Sequence, residues 1–186
     1  MNAKDLQIVY YPSPKLREKS AEVVLPLHKK WESILPAMAG IMTAHDGVGL
    51  AGPQVGIRER VILVFTQDGV LPLFNPEVMR HSQKTKLDEE GCLSIPETYG
   101  MVRRFYSIRV RAISQQGKSF EFDAAGLFAR ILQHEIDHTN GILFIDRLES
   151  YTKNPMNLPK PKPQGAKILA IKTALERKKR EGEEGN

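Results

Sequence analysis

The sequence predicts an α+β fold: antiparallel or mixed β-sheets around a central helix with an HExxH metal-binding pattern, plus an N-terminal and a C-terminal helix. Three observations carry this reading. Residues 61–65, VILVF, are a β-branched apolar run, and residues 106–113 alternate apolar with polar, so both read as strands. Residues 27–45 and 124–138 instead repeat their apolar positions at helical spacing. The strands come as hairpin pairs and do not alternate with helices as in a parallel α/β sheet.

Taken in order, Pro12 and Pro14 punctuate an extended N-terminal stretch. Trp31, Ile34, Leu35, Met38, Ile41 and Met42 mark the first helix, with a kink or a restart expected at Pro36. Asp46 and Gly47 end it, and a glycine-rich turn follows over residues 47–54. Asp68-Gly69 turns the strand at 61–65 into a partner at 71–74. Gln116-Gly117 likewise turns 106–113 into 120–122. Asp123 is positioned to cap the helix at 124–138, and Gly141 to stop it. Four prolines between residues 154 and 164 stiffen a linker. A last helix, at about 165–180, carries Ile168, Leu169, Ile171 and Leu175.

Composition sets outer bounds. At 186 residues and 41% hydrophobic content, the chain can bury one real core, so one domain with an appended element is expected. The formal charge of +5 is too mild to announce a nucleic-acid reader. No stretch is long and apolar enough to span a bilayer. The single cysteine, Cys92, cannot form an internal disulfide, and residues 1–10 show no secretory signal, so a cytoplasmic protein is expected.

Three segments carry chemistry. Residues 134–138, HEIDH, place two histidines four apart on one helical face, where both imidazoles can reach one metal ion. Glu135 beside them can touch a water on that metal without being a ligand. Taken alone, the motif suits solvated surface histidines equally well. Cys92, within residues 90–94, EGCLS, can supply a third ligand as a thiolate, although lone cysteines are often inert and buried. Residues 47–54, GVGLAGPQ, form an irregular turn with exposed backbone groups that ends in the amide of Gln54, and such turns commonly have no function.

Together, in this order and at these separations, the three segments closely resemble the peptide deformylase family. Its pattern is a GφGφAAPQ turn, an EGCφS strand and a QHEφDHφxG helix, and the likeness runs over about residues 6–148. The resemblance implies a catalytic domain over 1–150, with a Pro/Lys-rich linker and basic helix over 151–186. It implies hydrolysis of the N-formyl group on the N-terminal methionine of new proteins, releasing formate. Cys92, His134 and His138 are then the metal ligands, with water in the fourth position. Glu135 is the general base and acid, and Gln54 and the Leu93 N–H are the oxyanion donors. Gly49 pairs its backbone with the substrate, and Glu90 lines and braces the site. One divalent ion is implied, natively Fe2+, with Zn2+, Ni2+ or Co2+ able to replace it, and iron beside a thiolate implies sensitivity to oxidation.

The chain also departs from the family pattern. Gly52 stands where alanine is usual, which is expected to loosen the loop, and Thr139 and Tyr99 are further changes. Arg130, one turn before His134, and Asp88 both replace apolar residues. Either they pair across the mouth of the methionine pocket or both point to solvent. The pocket floor is expected from Val48, Leu127 and Ile131, with Arg130 at its edge. Relatives with a C-terminal helix dock it on the ribosome. The basic set Lys167, Lys172, Arg177, Lys178, Lys179 and Arg180 suits ribosomal RNA phosphates, or belongs to a solvated helix packed on the body. His28, His45 and His81 read as surface or loop residues. The partners expected are formyl-Met nascent peptides and the ribosome, with no membrane and no DNA. Two other readings compete: an HExxH peptidase, for which a cysteine ligand is unusual, and a non-catalytic ribosome-binding protein, which needs neither Glu135 nor Gln54.

Overall fold

A computed structural model describes residues 3–159. The linker beyond residue 159 and the helix expected at 165–180 lie outside the described residues. Helix α1 (Trp31–Ala44) buries Trp31, Ile34, Leu35, Met38 and Met42 along one face. It does not restart at Pro36 but runs through it. Pro36 stands on the exposed face in the second turn, and the carbonyl it cannot serve belongs to the exposed Glu32, where water satisfies it at little cost.

The glycine-rich segment is more regular than its sequence suggests. Residues Gly49–Ala51 form a short strand, β1, and Gly52–Val55 a 3-10 turn. Then come β2 (Val61–Thr66), β3 (Gly69–His81), β4 (Thr85–Cys92), β5 (Ile95–Phe105), β6 (Ser107–Ile113) and β7 (Ser119–Ala125). Helix α2 (Gly126–Thr139) and strand β8 (Leu148–Lys153) complete the described chain. Five strands make one sheet, in the order β1-β2-β3-β6-β7, and three make a second, β4-β5-β8. All named strand pairs are antiparallel.

The core explains the apolar run in β2. Val61 and Leu63 pack with α1, while Ile62 and Val64 pack with α2. The five-stranded sheet is therefore covered on both faces, and a strand buried on both sides reads as a continuous apolar run. A third cluster, around Leu16, Ile95, Val102 and Phe144, supports the smaller sheet.

The junction into α2 differs from the expectation. Asp123 does not cap the helix. Strand β7 runs on to Ala125, and the Asp123 carboxylate accepts from Arg109 Nη1 at 3.1 Å. Gly126, at φ +61°, makes the turn into the helix, and Gly141, at φ +72°, follows its end as predicted.

Helix α2 has two working faces. Ala129, Leu132 and Ile136 pack on the five-stranded sheet. Arg130, Gln133 and Asp137 instead bond to β5. Arg130 Nη1 donates to the Val102 carbonyl at 2.9 Å. Gln133 meets both backbone groups of Phe105, donating at 2.9 Å and accepting at 3.1 Å. Asp137 accepts from Arg104. This polar seam locks the helix against the smaller sheet at a fixed height, and so sets where the two histidines stand.

Candidate metal centre

Cys92 ends β4, at an irregularity in its pairing with β5, and His134 and His138 come from α2. The three meet closely. Cys92 Sγ lies 3.3 Å from His138 Nε2, which lies 3.2 Å from His134 Nε2. All three donor atoms fall within 4.8 Å of one another. His134 Nδ1 bonds Glu90 Oε2 at 2.9 Å, and donating its proton there leaves a lone pair on Nε2. Two buried imidazole nitrogens and a sulfur, turned towards one point, need either a shared proton or a metal cation between them.

The charges around this point agree with a cation. Burial opposes charge on His134, but hydrogen bonds with Cys92 and Glu90 outweigh it and hold its pKa well above the usual value. Burial, and then the neighbouring His134 charge, push His138 well below its usual value. A borderline divalent metal fits this Cys/His/His donor set.

Every other candidate residue except His138 lines one cavity of about 610 Å³, with Cys92 and His134 in its wall. His138 stands directly behind, touching both. Glu135 is buried, and its Oε2 has no hydrogen-bond partner among the described residues. Burial pushes its carboxyl up to about 7. The Gln54 amide is held by its own turn: Oε1 accepts from the Ala51 N–H at 2.8 Å. That leaves Nε2 facing Cys92 Sγ and Ser94 Oγ, each at 3.4 Å. Leu93 lies in the two-residue turn between β4 and β5, at the cavity wall.

Glu90 is the hub beside the three converging donors. Its Oε1 takes Arg104 Nε at 2.9 Å and Arg130 Nη1 at 2.6 Å. Its Oε2 takes Arg104 Nη2 at 2.9 Å as well as His134. Burial alone would raise the Glu90 pKa, but hydrogen bonds from His134 and Arg104 hold it far below the carboxylate range. Asp137 extends the network, pairing with Arg104 and with Arg147, the latter at 2.5 Å and 2.6 Å.

Several expectations need correction. Asp88 and Arg130 do not pair. Asp88 is half-buried and takes Lys86 Nζ at 2.8 Å, whereas Arg130 is buried on Glu90. A buried guanidinium needs a buried partner, and Glu90 supplies one that a half-exposed carboxylate cannot. Val48 and Leu127 form the rim of the cavity and not its floor, being 54% and 69% exposed; Ile131 is half-buried. Gly52 is buried, and a Cβ there would meet the Glu59 carbonyl oxygen at 2.9 Å. Thr139 is buried and donates to the Ile136 carbonyl at 2.7 Å. Tyr99 is exposed and lines the cavity, as does His45, which the sequence left without a role. His81 stacks on Phe105 at the surface.

The sequence reading missed Arg104, Asp137, Gln133 and Ser94. Asp137 and Gln133 lie inside the quoted helix motif, and the spacing of Asp137 from Gln133 and Arg130, four and seven residues, puts all three on one stripe. Arg104 gave no signal: it is one of two adjacent arginines in a strand, and only the pairing register turns it inward.

Among the described residues no helix is long and apolar enough to cross a membrane. The family model described as polypeptide deformylase matches residues 5–154. The peptide deformylase of Alkaliphilus metalliredigens is 44% identical over 73% of this chain and 90% of its own. Peptide deformylase 1 of Bacillus subtilis is 42% identical over 78% of this chain and 91% of its own. The crystal structure of the Thermotoga maritima peptide deformylase superposes with a TM-score of 0.74, at 37% identity, covering 77% of this chain and 97% of that one. A Synechococcus elongatus peptide deformylase in complex with actinonin gives 0.74 at 36% identity, covering 78% and 79%.

Proposed function

The chain belongs to the polypeptide deformylase family, enzymes that remove N-formyl groups from nascent peptides, and we propose that its substrate is the formylated N-terminal methionine, with one divalent cation on Cys92, His134 and His138. One observation carries the proposal: these three donors converge, Cys92 and His134 in the wall of a cavity and His138 directly behind it, where Glu135 and the Gln54 amide also stand. When bound, the cation lowers the pKa of a water and polarises a carbonyl oxygen. Glu135 takes the proton from the attacking water and returns it to the nitrogen that leaves with the peptide. Gln54 Nε2 and the Leu93 N–H donate to the formyl oxygen as it gains charge, and both are held by short turns before substrate arrives.

Substrate placement follows from the same wall. Strand β1 is at the edge of its sheet, paired with β2 on one side, so a peptide can be laid along the backbone of Gly49 on the other. Val48, Leu127 and Ile131 supply apolar surface for the methionine side chain, beside the Glu90–Arg130 pair. We propose iron as the native metal, the cytoplasm as the place of work, and the ribosome as a partner reached through the basic stretch at 165–180.

The test is formate release from formyl-Met-Ala by the metal-loaded chain, with acetyl-Met-Ala and an internal peptide bond as controls. Release of formate alone is the expected result. No formate, or cleavage of internal bonds at a similar rate, would overturn the assignment.

Gly49 gives a sharper prediction. A Cβ there would stand 2.8 Å from Glu135 Cδ and 2.9 Å from its Cγ. Gly49→Ala keeps the β1–β2 ladder but displaces the carboxyl, and misplacement of about 1 Å lowers turnover by about a hundredfold. The expected outcome is a variant that melts near the parent and has kcat for formyl-Met-Ala reduced on that scale. An unchanged kcat would show that the carboxyl does not need the space.

A further inference from the structure

We propose that Arg130 is a positioning residue of the metal centre: acting through Glu90, it fixes His134 and ties the helix that carries the histidines to the sheet that carries Cys92. The proposal rests on the Cys/His/His reading above and gives Arg130 a task other than holding substrate. Its chain of contacts is short. Arg130 Nη1 donates to Glu90 Oε1 at 2.6 Å, and Glu90 Oε2 bonds His134 Nδ1 at 2.9 Å. That bond sets both the tautomer and the tilt of the ring, and hence the direction of Nε2. The same guanidinium donates to two backbone carbonyls of the smaller sheet, Val102 at 2.9 Å and Lys86 at 2.7 Å. Lys86 lies on β4, six residues before Cys92, and Val102 on the partner strand β5.

Arg104 does not make Arg130 redundant. Arg104 sits on β5, holds Glu90 on β4 from within the same sheet, and reaches the helix only at Asp137. Arg130 comes from the helix itself, so it is the guanidinium by which α2 grips Glu90 directly. Because Arg130 is one turn before His134, any slide of the helix along the sheet would break three hydrogen bonds to Arg130 and the Glu90–His134 bond together. A fork of planar donors suits this task, since it meets a carboxylate and two carbonyls at fixed angles.

The test compares the full-length chain with Arg130→Met, Arg130→Lys and Arg130→Gln, using Co2+ as the probe. Affinity is read by competition with a chelator and by the absorption of the cobalt–thiolate bond, and folding by the melting of each apo chain. Parent binding of Co2+ is the control: if it fails, the metal-centre reading fails before this inference is reached. Arg130→Met is expected to bind Co2+ about 10- to 100-fold more weakly, the range for lost outer partners of a ligand. Arg130→Lys, which keeps a cation on Glu90 but loses the fork to the two carbonyls, is expected to recover part of that loss. KM for formyl-Met-Ala at saturating Co2+ is expected to stay near the parent's. If Arg130→Met does not fold, Arg130→Gln, which can still donate to the Val102 carbonyl, takes its place and the same loss is expected. A folded Met or Gln variant that holds Co2+ as tightly as the parent overturns the proposal. So does a variant whose defect lies wholly in KM, because Arg130 would then be a substrate residue.

Discussion

Glu135→Gln is expected to fold, to keep its metal, and to lose roughly 10³–10⁴ in kcat, the upper part of the range for removing a general acid–base group. The structure separates the role of Glu135 from those of its neighbours. Its Oε2 bonds to nothing among the described residues, so it does not brace the fold as Glu90 does. It is also not one of the three converging donors. Glutamine has the same shape and is neutral, so a buried site that disfavours a carboxylate accepts it without loss of stability. Only the ability to take and return a proton disappears. Formate release and metal content are to be measured on the same sample. A fully metallated variant within tenfold of the parent would remove Glu135 from the chemistry.

The parts of this molecule that were legible in the sequence are those where local pattern and tertiary role coincide. The HEIDH spacing places both imidazoles on one side of α2 whatever surrounds the helix. The run at 61–64 is apolar without a break because α1 covers one face of β2 and α2 the other. The smaller sheet was harder to read. Strand β4, TKLDEEGC, is rich in charge, and β5, IPETYGMVRRF, contains proline and glycine, all poor strand formers. These segments are strands because Glu90 and Arg104 face inward to a polar network that no periodicity count detects. The same cause defeated the expected Asp88–Arg130 pair. The charge on Arg130 was visible, but nothing in the sequence tells which of Asp88 and Glu90 lies deep enough to meet it. Strand residues two apart share a face, yet Asp88 is only half-buried and Glu90 is buried, and the pairing alone does not explain that difference. Asp123 misled for a simpler reason: Arg109 on the adjacent strand claims its carboxylate, and β7 continues past it.

The three converging donors are divided between two scaffolds, and under the proposed metal role this makes Cys92 the residue whose loss should be felt most. The sulfur comes from the smaller sheet, while both imidazoles come from a helix packed chiefly on the larger one. Without the sulfur, a cation has two nitrogens from a single helix face and nothing from the sheet. Cys92→Ser replaces a thiolate donor with a hydroxyl of nearly the same size, so the apo chain should melt close to the parent. Metal affinity should fall by more than about a hundredfold, since even partners one shell further out are worth 10- to 100-fold. Two measurements follow from this. Added Co2+ or Zn2+ should raise the melting temperature of the parent, because binding to the folded state alone stabilises it in proportion to the logarithm of ligand concentration over Kd, and should raise that of Cys92→Ser far less. Formyl-Met-Ala hydrolysis by the variant, prepared without added metal, should lie at the background of the assay. If Cys92→Ser instead keeps a full equivalent of metal through dialysis and turns over at the parent rate, the sulfur is not a ligand, and the 3.3 Å approach of Sγ to His138 Nε2 is only packing.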